Sequence, residues 1–265
     1  MRLWNHTAAA VIGRGHIKAG TPCQDVAVTE TLGSVTAAVV ADGAGSASRS
    51  DIGAAVAADV VLDLLEQRFE WLAGAEETAI GEEIVSRIRD RFGAVASNLG
   101  IETKELACTL LFVAIDGEGY LSGHLGDGFI ACQRGDTAIP FSIHERGEFA
   151  NETVFVTSRG ADTRLRVRKG STEGIAGFAL MTDGAAESLY SRHDGKIARA
   201  VAKMIGWLES SERDEAQDLL ESSLKGPIRG HTSDDCSIAL LCRPSTGTDL
   251  ESDAAPTVPL LSRCA

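Results

Sequence analysis

The sequence lacks the long apolar run that a membrane protein needs. A helix that crosses a bilayer requires about 20 consecutive apolar residues, and no stretch of this 265-residue chain approaches that length. The N-terminal segment also lacks the arrangement of a signal peptide. We therefore expect a cytoplasmic protein that has no membrane partner.

Positive charge is scarce as well. The chain has 25 Lys and Arg residues against 38 Asp and Glu residues, so its net charge is −13. A surface of this sign repels a nucleic-acid backbone, and we expect no nucleic-acid partner. A substrate that carries phosphate would require bound cations that reverse the local charge.

The six cysteines form no C-x-x-C pair and are expected to be free thiols. Four lie in apolar stretches, where cysteine packs as a small hydrophobic residue: Cys108, Cys132, Cys236 and Cys242.

Several common enzyme signatures are also missing from the sequence. The chain has no G-x-S-x-G turn and no Gly-Lys-Ser/Thr phosphate loop, and GAGSAS (43–48) lacks the third glycine of a dinucleotide-binding motif. A calcium loop starting at Asp42 would need Glu where Gly53 stands.

The most informative stretch present is VVADGAGSASRSDIG (39–53). The apolar run 35–41 predicts a buried strand, and Asp42 ends it. Ser48 with Asp51 three positions later predicts a capping box that opens a helix. The apolar stripe of that helix is expected to consist of Ile52, Val56, Val60 and Leu64.

The remaining pattern alternates helices with runs of short strands. A second helix is marked by apolar residues at four-residue spacing, Ile80, Ile84, Ile88 and Phe92. Strands are predicted at 106–115, 120–125, 129–133, 153–157, 165–168, 178–181 and 237–242, and helices at 196–208 and 212–224. Turns at Asp116-Gly117 and Asp127-Gly128 are expected to join the first three of these strands. This grouping favours an α+β layered sandwich over a doubly wound parallel sheet. We expect one domain at 1–243 and a flexible tail at 244–265.

Aspartates recur where strands begin or end: Asp25, Asp42, Asp127, Asp183, Asp234 and Asp235. Each has an ordinary explanation, because Asp-Gly makes tight turns, Asp183 could cap a helix, and 234–235 could be a solvated loop. Their recurrence at strand ends suggests instead that several carboxylates converge on one edge of the core. Converging carboxylates require cations between them, and an all-oxygen ligand set favours Mg²⁺ or Mn²⁺ over zinc.

The ordered series CQD, VVADGAG, LGDG, LMTDGAAE and SDDCSIALL resembles the metal-dependent serine/threonine protein phosphatases of the 2C type. GEFANETVFVTS (147–158) is similar to a bacterial single-domain sub-branch of that family, and the resemblance covers about 4–243. It implies a four-layer α-β-β-α sandwich with two central, mainly antiparallel sheets. It also implies hydrolysis of phosphoserine and phosphothreonine on proteins, with a kinase-linked phosphoprotein as substrate.

The resemblance also implies the residues of a site with two Mn²⁺ or Mg²⁺ ions. Asp42 would bridge both ions and the carbonyl of Gly43 would bind one of them. Asp183 and Asp234 would complete the shell of the first ion, and Gln24 and Asp25 would order water on the metals. Asp127 would help Asp183 to hold a possible third ion.

Two positions depart from the family pattern. The arginine that grips phosphate in many members has no counterpart near Gly20, and His16, Lys18 or Arg14 could replace it. Ala44 stands where eukaryotic members place a proton-donating histidine, which leaves His16 or a water on the metal as the candidate donor. These departures keep a second hypothesis open, a phosphatase-like module that binds phosphoproteins or senses metal without turnover.

Overall fold

The computed structural model describes residues 3–143 and 153–244. Its strands are β1 (Asn5–Val11), β2 (Asp25–Leu32), β3 (Val35–Asp42), β4 (Leu110–Asp116), β5 (Gly119–Leu125), β6 (Phe129–Arg134), β7 (Thr137–Ser142), β8 (Arg166–Ser171), β9 (Gly177–Met181), β10 (Tyr190–Ser191), β11 (Lys196–Ile197) and β12 (Cys236–Cys242). Its helices are α1 (Arg14–Ala19), α2 (Ser50–Gly74), α3 (Glu77–Leu99), α4 (Ala161–Arg164), α5 (Asp183–Leu189), α6 (Arg199–Ser210) and α7 (Arg213–Ser223). A short 3₁₀ turn (Thr103–Leu106) precedes β4, and a π-helical turn (Leu224–Ile228) follows α7.

Two five-stranded sheets form the centre of the molecule. The first sheet has the order β2-β3-β4-β5-β8 and the second has the order β1-β12-β9-β6-β7, with antiparallel neighbours throughout. Helices α2 and α3 cover the first sheet, and α5, α6 and α7 cover the second. The four layers confirm the predicted α-β-β-α sandwich.

Strand β3 shows why the run 35–41 is apolar at every position. Val35, Ala37, Val39 and Ala41 pack in the core beneath α2 and α3. Ala38 and Val40 belong to the core between the two sheets, together with residues of β6, β9 and β12. Since both faces of the strand are covered, burial favours an apolar side chain on either face.

The two long helices differ in how well their buried faces were predicted. On α3 the predicted stripe Ile80, Ile84, Ile88 and Phe92 is buried, which confirms the four-residue pattern. On α2 the stripe is only partly confirmed: Leu64 is buried, but Ile52, Val56 and Val60 are half-buried. The buried face also carries Ala54, Ala57, Ala58, Val61 and Leu65. The small alanines let the helix lie close to the sheet, so close packing selects this face over the most apolar one.

The predicted capping box is wrong. Helix α2 begins after Arg49, and no side chain caps its N-terminus. The backbone N–H of Ser48 instead donates to Oε2 of Glu105 at 2.9 Å. A partner distant in sequence thus replaces the local cap.

Three other strand and helix boundaries also differ from the prediction. The strand expected at 106–115 begins only at Leu110, because 107–109 run beside the loop that follows β3. Residues 153–157 form a coil and turn, and 196–197 belong to a hairpin rather than to α6. Strand β7 was not predicted. It contains Pro140 and lies at the edge of its sheet, where proline is tolerated.

Two predictions fall partly or wholly outside the described residues. The motif at 147–158 is described only from residue 153, and the expected tail is described only at 244. The boundary between a domain at 1–243 and a tail at 244–265 therefore stays a prediction. Within residues 3–143 and 153–244, no helix is long and apolar enough to cross a membrane.

Candidate active site

The antiparallel register brings the strand-end aspartates to one edge of the sandwich. Asp25 opens β2 directly opposite Asp42, which closes β3. In the second sheet, the last residue of β9, Met181, pairs with Ile238 of β12 and with Phe129 of β6. The segments before β12 and β6 and after β9 therefore meet at the same edge. They carry the three other predicted ligands, Asp234, Asp127 and Asp183.

Asp127 does not lie in a hairpin, contrary to the expectation for Asp127-Gly128. Strand β5 belongs to the first sheet and β6 to the second, so the segment between them crosses from one sheet to the other. By contrast, Asp116-Gly117 does join the antiparallel neighbours β4 and β5, as predicted. The crossing places Asp127 between the sheets, where it faces the ends of β3 and β9.

The aspartates line a cleft of about 150 Å³. Its lining consists of Gln24, Asp42, Gly43, Ala44, Gly45, Thr109, Asp127, Thr153, Phe155, Asp183 and Asp234. This set contains four carboxylates and no lysine, arginine or histidine. Without bound cations, the described part of the cleft is therefore strongly negative.

Three of the four carboxylates form a compact group. One oxygen from each of Asp42, Asp127 and Asp183 lies within 4.8 Å of the others, and all three side chains are half-buried. Asp234 lines the same cleft but stands outside this group. Its Oδ1 accepts the backbone N–H of Asp235 at 2.9 Å, which turns that oxygen toward its own loop.

Burial and mutual repulsion disfavour the charged forms of these groups. Burial raises the pKa of Asp42 well above its usual range, and the charges of Asp25 and Asp183 raise it further. Burial likewise raises the pKa of Asp25 and of Asp183, where the neighbouring Asp127 adds to the effect. The repulsion is relieved by protons or by bound cations.

Three threonines that the sequence analysis did not single out hold the acidic residues in place. Thr182 donates to Oδ2 of Asp25 at 2.7 Å, and Thr153 donates to Oδ2 of Asp127 at 2.6 Å. The hydroxyl of Thr109 accepts the backbone N–H of Asp42 at 3.0 Å. Threonine is common in all strands and loops, so no sequence signal marks these three.

Gly43 is required by close packing beside the cleft. A Cβ at this position would lie 2.8 Å from the carbonyl oxygen of Gln24 and 2.8 Å from Cβ of Ser50. Its N–H donates to that same carbonyl of Gln24 at 3.1 Å. The glycine therefore lets the segment after Asp42 lie against the start of α2 and against the segment that precedes β2.

The other predicted residues lie around the cleft rather than in its lining. Asp25 is buried. His16 lies in α1 and contacts Asp235 through Nδ1 at 2.8 Å. Lys18 is exposed on α1, and Arg14 donates to the backbone carbonyl of Thr232. None of the three basic candidates for gripping phosphate lines the cleft.

The donor set of the cleft fits hard divalent cations. The ligand atoms on offer are carboxylate, amide and backbone oxygens, which Mg²⁺ and Mn²⁺ prefer. Oδ1 of Asp183 and Oε1 of Gln24 are buried without a hydrogen-bond partner among the described residues. Buried polar atoms of this kind are normally paired, so these two oxygens are suited to a bound ion or its water.

A larger pocket of about 790 Å³ adjoins the cleft and shares Asp127 and Asp183 with it. Its outer wall is the β10–β11 hairpin, which carries Arg192 and His193. Tyr190 at the base of this hairpin stacks on Phe129 with ring centroids 4.3 Å apart. The hairpin was missed: residues 196–197 were assigned to the following helix, and 190–191 were assigned to no element.

Among the residues that the structure describes, no cysteine lines the cleft. Cys108, Cys132, Cys236 and Cys242 are buried, as predicted. Burial raises the pKa of the Cys236 and Cys242 thiols to about 12, and that of Cys108 further still. The thiolate, which is the nucleophilic form, is therefore disfavoured at these positions.

Known structures with similar folds are bacterial serine/threonine phosphatases. Phosphatase Stp1 of Staphylococcus aureus superposes with a TM-score of 0.63 at 11% identity, over 92% of this chain and 96% of that one. The catalytic domain of the phosphatase PstP, in complex with two manganese ions, superposes with a TM-score of 0.59 at 13% identity, over 92% of this chain and 99% of that one. At these identities the likeness concerns the fold.

Sequence comparison extends the likeness to the family. Serine/threonine-protein phosphatase 3 of Escherichia coli is 27% identical over 247 residues, which cover 89% of this chain and 97% of the relative. The family model described as protein phosphatase 2C matches residues 12–225, most of the chain and four of the five motifs that carry the resemblance. The chain therefore belongs to the protein phosphatase 2C family and is a protein phosphatase, as its motifs predict.

Proposed function

We propose that the chain hydrolyses phosphoserine and phosphothreonine monoesters on proteins, using a water nucleophile and two Mn²⁺ or Mg²⁺ ions at the cleft. The observation that carries the proposal is the group formed by Asp42, Asp127 and Asp183, whose oxygens lie within 4.8 Å of one another in a cleft whose described lining has no basic side chain. The relative in Escherichia coli is named as a serine/threonine phosphatase, and the PstP domain of similar fold binds two manganese ions.

The ligands that we propose are those that the family resemblance implies. Asp42 and the carbonyl of Gly43, with Asp183 and Asp234, would hold the two ions, and Asp127 with Asp183 would hold a weaker third. When bound, such ions supply an activated water at neutral pH and offset the charge that spreads over the phosphoryl oxygens. The place of Asp127 in the compact group supports its assignment as a ligand.

Two further residues, Gln24 and Asp25, are positioned by the protein itself and are suited to orient the attacking water. Gln24 presents a buried, unpaired Oε1 at the cleft and is suited to orient a water. Asp25 is held by Thr182 and lies opposite Asp42, where it can accept a hydrogen bond from such a water. No cysteine thiolate is required, since no cysteine is among the described residues that line the cleft.

The phosphoprotein segment would occupy the larger pocket that adjoins the cleft. This pocket shares Asp127 and Asp183 with the cleft, so a residue whose phosphate enters the cleft has its neighbours beside the β10–β11 hairpin. The substrate that we propose is a protein phosphorylated by a partner serine/threonine kinase. Phosphopeptides from candidate kinases, assayed against scrambled phosphopeptides, would test that partner.

The test is phosphate release from a phosphothreonine peptide and from 4-nitrophenyl phosphate, with Mn²⁺, with Mg²⁺ and with excess chelator. We expect hydrolysis of both compounds only when divalent metal is present, and no loss of activity after alkylation of exposed thiols. Full activity in chelator, or loss of activity on alkylation, would contradict the mechanism.

Metal binding without turnover would favour the second hypothesis, a phosphatase-like binding module. Calorimetric titration with Mn²⁺ detects the ions independently of hydrolysis. Binding of Mn²⁺ together with no hydrolysis of varied phosphopeptides would show a module that senses metal or binds phosphoproteins. The retained carboxylates favour the enzyme over this module.

A further inference from the structure

Helix α1 is held to the rest of the protein by polar contacts instead of apolar burial. None of its six residues is buried, and a helix this short is not stable by itself. Its contacts go to a loop that precedes β12. The N–H of Gly15 donates to the carbonyl of Ser233 at 2.7 Å, and Arg14 donates to the carbonyl of Thr232 from Nε and Nη2 at 3.0 and 2.8 Å. The chain thus uses several hydrogen bonds to fix a helix that adds nothing to the core.

Asp235 is the centre of these contacts. Its Oδ1 accepts the N–H of Gly13 at 2.6 Å, and its Oδ2 accepts the N–H of Gln24 at 2.6 Å and contacts Nδ1 of His16 at 2.8 Å. The carboxylate is 1% exposed, and no lysine or arginine in the described part of the chain pairs with it. A buried carboxylate is stable in such a place only when hydrogen-bond donors surround it.

The same contact determines which nitrogen of His16 carries a hydrogen. A carboxylate only accepts hydrogen bonds, so Nδ1 must be protonated to bond with Asp235. Nε2 then remains as the nitrogen that is available to a substrate. The imidazole side chain is 21% exposed, so it is accessible from solvent while Asp235 is not.

The network is adjacent to the phosphatase cleft. Gln24, which shares Oδ2 of Asp235 with His16, lines the cleft, and so does Asp234, the residue before Asp235. The segment that leads into α1 also packs directly on this loop, since a Cβ on Gly13 would lie 2.3 Å from the carbonyl carbon of Asp234. One buried carboxylate therefore links the histidine to two segments of the cleft wall.

We infer that Asp235 is a positioning residue, which orients His16 so that Nε2 delivers a proton to the leaving oxygen of the phosphorylated residue. This inference rests on the proposed phosphatase function. The oxygen of water bonds to phosphorus, and the bond between phosphorus and the serine or threonine oxygen breaks. The imidazolium gives its Nε2 proton to that oxygen, and the proton released by the attacking water restores the imidazolium. The products are the free hydroxyl residue and inorganic phosphate.

The first test needs no activity. In the metal-free, full-length protein, ring ¹⁵N spectra of the neutral imidazole should show His16 protonated on Nδ1, with its signals assigned by their loss in His16→Gln. Asp235→Asn replaces one acceptor oxygen with an NH₂ group, so the Nδ1-protonated fraction should fall. A wild-type His16 protonated on Nε2 would overturn the inference, whether or not the variant folds.

The second test uses the leaving group. An alkoxide from phosphothreonine needs a proton, whereas 4-nitrophenolate leaves without one. With Mn²⁺ present, His16→Gln and Asp235→Asn should each lower kcat on a phosphothreonine peptide by about 100-fold, which is the lower end of the range for general acid catalysis. On 4-nitrophenyl phosphate the decrease in kcat should be severalfold at most, and the KM for either substrate should change little. The double variant should be no slower than His16→Gln alone, because Asp235 acts through His16.

Asp136→Asn is the matched control, since Asp136 is an exposed aspartate in the turn between β6 and β7. It should leave both substrates and the His16 spectrum unchanged. Equal losses on both substrates, additive effects in the double variant, or a rise in KM with unchanged kcat would overturn the proton-donor role. If the wild-type protein hydrolyses neither substrate, the proposed function fails, and the ring spectra still report whether Asp235 orients His16.

Discussion

Two acidic sites lie side by side at this edge of the fold, and they are stabilised in different ways. On the cleft floor, Asp42 and Asp183 face other carboxylates, and repulsion adds to burial in raising the pKa of both groups. One short loop away, Asp235 accepts two backbone N–H groups and contacts a histidine. The charge of Asp235 is stabilised by donors within the chain. The cleft carboxylates are stable together only when protons or cations offset their repulsion.

Because their surroundings differ, the aspartates of the two sites have different roles. A carboxylate surrounded by donors is rigid and can hold other groups in place, as Asp235 holds α1. Carboxylates crowded together without donors are poised to bind cations, and their crowding is a strain on the metal-free protein. Substitutions at the two sites should therefore have opposite effects on the stability of the metal-free protein.

Asp42→Asn should produce the largest change. The amide keeps the size of the side chain but removes the charge that would bridge two cations, and we expect turnover to fall on the order of 10²- to 10³-fold or more. The metal-free variant should be as stable as the wild type or more stable, because repulsion with Asp25 and Asp183 is relieved. Phosphopeptide hydrolysis and thermal unfolding in chelator measure the two effects.

Asp116→Asn serves as the control for this substitution. Asp116 also ends a strand, but it closes β4 at the edge of the first sheet opposite the cleft. Its activity and metal titration should match those of the wild type. Unchanged hydrolysis in Asp42→Asn would refute the two-ion assignment.

Asp235→Leu should mainly reduce stability. It leaves the N–H groups of Gly13 and Gln24 without their acceptor, and each buried donor that loses its partner costs about 1–3 kcal/mol. We expect a loss of about 3 kcal/mol, which for a domain of this size lowers the unfolding midpoint by about 6–12 °C. An unfolding midpoint equal to that of the wild type would show that Asp235 is not an essential acceptor.

The metal-free protein should become more stable as the pH falls from neutral. The pKa of an unfolded aspartate is about 3.9, and burial raises the pKa of Asp25 and Asp42 in the folded state. Between these values the folded state binds more protons than the unfolded state, so acidification favours folding and a rise in pH opposes it. Chemical denaturation in chelator over this interval should show the trend, with a smaller slope in Asp42→Asn. A free energy of unfolding that decreases steadily on acidification would contradict it.

Asp127→Asn should be milder than Asp42→Asn. Its proposed ion is the weaker third one, and Thr153 already donates a hydrogen bond to Oδ2 of Asp127. We expect calorimetry to retain the tighter metal binding while turnover falls by about 10-fold, within the range for altering a metal site at its periphery. Loss of all metal binding would place Asp127 among the ligands of the tight ions.

Deleting residues 245–265 should have the smallest effect. The deletion keeps Arg243, whose guanidinium donates to the carbonyls of Ile175 and Thr172 and so fixes the end of β12. The unfolding midpoint and generic phosphatase activity should stay near those of the full chain. A midpoint lowered by many degrees would show that the tail contributes to the fold.

Much of the layer architecture and of the acidic cleft could be predicted from local patterns. An aspartate that ends an apolar run is visible in the sequence, and the register of antiparallel strands then brings such ends together, as with Asp25 and Asp42. The buried stripe of α3 was likewise predicted from the spacing of its apolar residues. The four-layer arrangement was implied by the resemblance of the ordered motifs to the family.

Other features could not be predicted because one pattern permits two structures. Asp116-Gly117 makes a hairpin and Asp127-Gly128 makes a crossing between sheets, although the two dipeptides are identical. The Ser48 and Asp51 pair suggested a cap that Glu105 displaces from a distant position. In each case a tertiary contact outweighs a local preference of about 1 kcal/mol.

The sequence by itself determined that several apolar runs begin or end at an aspartate, and that the chain resembles the 2C-type phosphatases. These are properties of composition and of short, ordered motifs. Only the tertiary structure decided that the segment of Asp127 crosses between the sheets instead of forming a hairpin, and that Asp235 holds a histidine 219 positions away. The physical reason is that such contacts depend on sheet order and on the packing of loops, which the residues in any one segment do not specify.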